Sequence, residues 1–118
     1  MSLKKPKFYF GPMSLNIVDS VIELSNDEGF NLGFIPSRRQ IECSDLGGGY
    51  VNGWTTEKFV KYVRDRNKSI ILERDHSGPY QGLNKDTGER SIIVDCESGF
   101  DIIHIDPWKL HSTIAGAA

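Results

Sequence analysis

Two short stretches hold residues whose types and spacing can do chemistry. The segment "SIILERDHSGP" runs from apolar residues into Glu73, Arg74, Asp75 and His76, and a Gly-Pro turn then stops the chain. A carboxylate beside an imidazole can divide labour, with His76 offering a neutral nitrogen to a metal and Asp75 moving a proton. Strand alternation points neighbouring side chains in different directions, so the two need not compete for one partner. The other reading is a packed strand end in which Asp75 caps the next turn. The segment "FDIIHIDPW" carries the second pair, His104 and Asp106. Positions i and i+2 share a strand face, so both can point into one centre with residues of the preceding strand. They can equally be a buried polar pair bonded to each other.

Two further clusters suit anions. "GGGYVNG" stands ahead of a helix, and the backbone N–H groups of Gly48 and Gly49 can cradle a phosphate there. It is neither a GxxxxGK[ST] loop nor a GxGxxG fingerprint. A flexible turn is the competing reading. Arg38 and Arg39 follow an apolar run, and their forked guanidinium groups recognise phosphate or carboxylate, or else stand as solvated loop charges. His111, in the tail, reads as surface.

The elements that must position these groups alternate. Residues 8–13 and 30–36 read as short buried strands, the first broken by Gly11-Pro12 and the second ended by Pro36. Between them Ser14 caps an amphipathic helix with Ile17, Val18, Val21, Ile22 and Leu24 on its apolar face, closed by Gly29. Its carboxylates Asp19, Glu23 and Asp27 read as a solvated face. A long loop over residues 37–53 leads to a helix capped by Thr55 or Thr56, with Phe59, Val60 and Val63 facing inward. Residues 69–75 form a third strand, 76–90 a long polar loop, 91–99 a weaker helix ending at Gly99, and 100–108 a fourth strand. The order β-α-β-α-β-α-β, with continuous apolar strands, predicts a parallel sheet buried on both faces. The long loops follow the strands, and in parallel α/β folds ligands bind at those carboxyl ends.

Composition narrows the classes. The chain has 118 residues, 38% hydrophobic and 25% charged, with a net charge of −2, which fits one globular domain over residues 1–118. That charge excludes an obvious nucleic-acid footprint, and no apolar stretch nears the roughly 20 residues of a membrane span. Cys43 and Cys96 form no CxxC motif and read as reduced thiols. With no signal-peptide pattern at the start, the expected location is cytoplasmic.

In order and spacing, "GGYVNGWTTEKFVKYV", "IILERDHSGP" and "GFDIIHIDPW" resemble the Z-type subunit of tagatose-bisphosphate aldolase, among the class II aldolase-like TIM barrels. The resemblance rests on Gly48, Gly49, Tyr50, Thr55, Phe59, Asp75, His76, Gly78, Pro79, Gly99, Phe100, His104 and Asp106. It implies that Asp75 is a general acid/base and that His76 ligates a divalent metal, zinc, which polarises a ketose-phosphate carbonyl. His104 and Asp106 would line the same mouth, with Arg38, Arg39, Gly48 and Gly49 as substrate-binding candidates. Tyr80 after Pro79, and Pro107-Trp108-Lys109 after Asp106, depart from that family's pattern. A complete (β/α)8 barrel needs eight strands and about 250 residues, so four strands make a half-barrel. Such a half would be completed by further residues, a second copy or a partner aldolase subunit. The implied function is metal-assisted aldol chemistry on a phosphorylated sugar. The alternatives are a non-catalytic subunit and a small flavodoxin-like domain that binds a phosphorylated ligand.

Overall fold

The computed structural model describes residues 5–110; His111 and the rest of the tail lie outside them. Four strands, β1 (Phe8–Phe10), β2 (Leu32–Phe34), β3 (Ile71–Ser77) and β4 (Ile102–Ile105), form one all-parallel sheet. Their spatial order is β1-β2-β3-β4, the same as their order in the chain. Three helices connect them: α1 (Leu15–Glu28), α2 (Thr56–Arg66) and α3 (Glu89–Ser98). This is the expected half-barrel-like α/β arrangement. A flavodoxin-like sheet reverses direction at a switch point, and no such reversal occurs among the described strands. That topology is therefore not the one adopted.

Helix α1 starts where a side chain can satisfy its free N–H groups. The Ser14 hydroxyl accepts from the Ile17 amide, and Gly29 closes the helix in the left-handed region, φ 70°. Val18, Val21 and Ile22 are buried, whereas Ile17 and Leu24, both expected inside, stay 39% and 40% exposed. They lie at the flanks of the stripe, and Ser25 takes the inward position instead. Helix α2 is capped by Thr55, whose hydroxyl accepts from Lys58 N. Phe59 at its centre packs edge-on against Phe34 and Trp54, with ring centroids 5.7 and 5.5 Å away. Val18, Leu32, Ile41, Val63, Ile70 and Leu72 complete this core between helices and sheet.

The strands are shorter than the apolar runs that announce them. Gly11-Pro12 ends β1 early, and Pro36, without an N–H, limits β2. The exception is β3, which continues past Asp75 through His76 to Ser77. Arg74 pairs with Ile103 and Ser77 with Ile105, so β3 spends three steps where β4 spends two. One extra residue makes a bulge, the device that bends a strand and re-aims its side chains.

Candidate functional site

The bulge decides where Asp75 and His76 point. His76 takes φ 48°, in the left-handed region, and this undoes the simple alternation expected of neighbours on a strand. Both side chains now turn to the same mouth: His76 Nε2 lies 3.5 Å from Asp75 Oδ2. From β4, His104 Nδ1 approaches the other oxygen, Asp75 Oδ1, at 3.7 Å. Donor atoms of Asp75, His76 and His104 all lie within 4.8 Å of one another. The two imidazoles meet edge to face with centroids 5.8 Å apart.

Asp106 holds this group from behind. Its Oδ2 lies 2.8 Å from His76 Nδ1. A carboxylate only accepts, so Nδ1 carries the hydrogen; in the neutral ring the lone pair is then on Nε2, the nitrogen that faces Asp75. The other oxygen, Oδ1, accepts from the Trp108 amide at 3.2 Å. The His76 hydrogen bond holds the Asp106 carboxyl below the usual carboxylate range, against the opposing effect of burial. His104 and Asp106 are thus not bonded to each other; each reaches across to the end of β3.

The group has donor types and a spread that a cation could bring together. Donors about 2.1 Å from a tetrahedral zinc stand about 3.4 Å apart. His76 Nε2 and His104 Nδ1 stand 3.5 and 3.7 Å from two different Asp75 oxygens, longer than an ordinary hydrogen bond, and one donor atom from each of the three residues lies within 4.8 Å of the others. Two imidazoles and a carboxylate are a donor set that zinc accepts, and an outer carboxylate on the far nitrogen of a ligating histidine is a common orienting device. The residues present therefore fit a divalent ion.

Beneath the mouth lies a residue that the chemistry-led reading passed over. Arg74 is fully buried, and it forks onto Asp95 of α3 through two bonds of 2.8 Å. Its Nη1 donates to the carbonyls of Ser37 at 2.9 Å and Ile41 at 2.6 Å, and Nη2 donates to the Thr56 hydroxyl at 3.2 Å. One guanidinium thus ties β3 to the loop after β2 and to the first turn of α2. Its place two residues beyond the buried Leu72, on the same strand face, was the available signal.

The anion candidates divide. Arg38 is neither a solvated charge nor open to a ligand, because it is 0% exposed. Its donors go to Glu42 at 2.7 Å, the Gly78 carbonyl at 2.8 Å and Asp86 at 2.7 Å. It holds together the loop after β3, where Asp86 Oδ1 also accepts from Gly88 N and the Asp86 carbonyl from Tyr80 N. Arg39, the next residue, is exposed at the mouth of a cavity formed by the loops after β2, β3 and β4. Gly48 and Gly49 form no cradle. Their amides donate to the carbonyls of Cys43 and Trp54. A Cβ on Gly49 would sit 2.0 Å from the Gln40 carbonyl oxygen, so glycine serves close chain packing there.

No protein-family profile matches the chain, and no curated protein matches it. Among solved structures it is similar to a probable tagatose 6 phosphate kinase from Sinorhizobium meliloti 1021, with a TM-score of 0.66 and 22% identity. The similarity covers 86% of this chain and 29% of that one, so the chain spans under a third of its structural neighbour. It establishes the shared fold.

Proposed function

We propose that Asp75, His76 and His104 bind a divalent metal of the zinc type, and that the site serves aldol cleavage or condensation of a phosphorylated ketose once the barrel is complete. The observation that carries this reading is the convergence of donor atoms of Asp75, His76 and His104 within 4.8 Å of one another, together with the Asp106 contact that aims His76. A bound divalent ion supplies Lewis-acid polarisation of a substrate carbonyl. The chain's own contribution is geometric and protonic. Asp106 fixes the His76 tautomer and ring plane, and His104 meets Asp75 from the adjacent strand. Asp75 has two oxygens, so one can face a metal while the other exchanges a proton with substrate. The neighbour's name includes a sugar phosphate, which supports that substrate class. Phosphoryl transfer is favoured less, because the amides of the glycine loop already have partners within the chain.

The test is zinc titration by calorimetry of the chain, His76→Ala, His104→Ala and Asp106→Asn. Loss of a ligand should remove measurable binding, and Asp106→Asn should weaken it about 10- to 100-fold. Equal zinc affinity in all four proteins would defeat the metal reading.

A second reading, a non-catalytic subunit that joins an aldolase or a copy of itself, is favoured by the exposed apolar side chains at the sheet's two edges. Phe8 on β1 is 63% exposed and Ile105 on β4 is 52% exposed.

A further inference from the structure

A cavity of about 680 Å³ is lined by the loops after β2, β3 and β4; Asp75, His76 and His104 do not line it, and its link to them is the Trp108 amide on Asp106. Three positive side chains reach it from three different loops: Arg39 after β2, Lys85 after β3 and Lys109 after β4. No carboxylate lines it, and among the described residues none of the three cations has an ion-pair partner. In a chain of net charge −2, that concentration of unneutralised positive charge is a local exception. Tyr80 and Trp108 give the cavity aromatic walls.

The cavity is built rather than incidental. Buried Arg38 pins the loop that carries Tyr80 and Lys85, through Gly78 at one end and Asp86 at the other. Gly82 lies so close to this guanidinium that a Cβ there would stand 2.9 Å from Nη2. Asp106 joins the cavity to the Asp75–His76–His104 group, with one oxygen on His76 and the other on the amide of Trp108. Gln81 closes the same wall by donating to the Asp106 carbonyl at 3.3 Å.

We infer that Arg39, Lys85 and Lys109 form a phosphate subsite, which holds the phosphomonoester end of a small ligand whose other end reaches Asp75, His76 and His104. The anion chemistry stands on the cavity alone; only the identity of the far end rests on the proposed function. Guanidinium and ammonium groups converging from three loops can donate to separate phosphate oxygens, which one surface cation cannot. The aromatic walls give the uncharged part of the ligand an apolar face.

The test uses the full chain in EDTA, titrated with inorganic phosphate, fructose 6-phosphate and fructose. Calorimetry reads affinity, and Trp108 fluorescence reads location, with Trp108→Phe as the control for the signal of buried Trp54. Fructose 6-phosphate should bind tighter than inorganic phosphate, and fructose should not bind. Arg39→Gln, Lys85→Gln and Lys109→Gln should each weaken phosphate binding about five- to tenfold. The triple variant should lose saturable binding while its circular dichroism stays that of the parent. Unchanged binding in a folded triple variant would overturn the subsite. Equal affinity for fructose 6-phosphate and inorganic phosphate would overturn its link to the ligand's far end. Phosphate binding without zinc binding would leave the subsite and remove the metal reading; zinc binding without phosphate binding would do the reverse.

Discussion

At the residue scale, the same side-chain type does opposite work a few positions apart. Arg38 and Arg74 are fully buried structural cations, whereas Arg39 stands at a cavity mouth. The two cysteines divide in the same way. Cys96 is exposed, and burial pushes the Cys43 thiol up to about 11 from its ordinary 9.0. The native chain then keeps a proton that the unfolded chain releases above pH 9, so stability held below pH 9 declines as pH rises toward 11. At pH 8, a thiol reagent should modify Cys96 in the folded protein and reach Cys43 only after denaturant is added. Similar rates at both thiols before unfolding would contradict the buried placement.

At the scale of elements, the end of β3 depends on an ion pair with no access to water. Arg74 and Asp95 are both 0% exposed, and Arg74 also holds the loop after β2. Replacing Arg74 by Met leaves buried Asp95 without its partner and removes the donor to the Ile41 carbonyl and the Thr56 hydroxyl, while the Ser37 carbonyl keeps the Ile41 amide. The expected cost is about 3–5 kcal/mol in urea unfolding. Arg74→Met with Asp95→Leu should recover part of that loss, because the stranded charge is removed with its partner. A single variant within about 0.5 kcal/mol of the parent would show that the pair does not organise the strand. The bulge just beyond this pair gives His76 its left-handed backbone, and without it His76 would turn away from Asp75.

At the scale of the whole molecule, the sheet ends in two open edges. β1 and β4 each pair on one side among the described strands. Among the described residues no further strand covers either edge, and the apolar side chains Phe8 and Ile105 stand exposed on them. The expected outcome is self-association, with a light-scattering mass that grows with concentration. Ile105→Lys should shift that mass toward the monomer, as inserted charges do at natural sheet edges. A parent chain that stays monomeric at the highest soluble concentration would count against the edges as interfaces.

Several features were legible in the amino-acid order because they rest on local physics. Ser14 as one cap and Thr55 or Thr56 as the other, Gly29 and Gly99 as helix ends, and the alternation of strands with amphipathic segments all follow from hydrogen bonds and periodicity within a few residues. That alternation was enough for a parallel α/β sheet, and the chemistry-bearing pairs were correctly placed at strand ends. Three decisions belonged to tertiary structure. The extra residue in β3 exists only relative to its partner strand, so no reading of β3 alone can find it. The split between Arg38 and Arg39 depends on Gly78 and Asp86, some 40 and 48 positions further along the chain. The amides of Gly48 and Gly49 looked free in sequence and are satisfied by carbonyls that folding brings near. For the bulge and the arginines the deciding partner is distant in sequence, so local propensity says nothing of it; for the glycines it is five positions away but set by the fold of the loop.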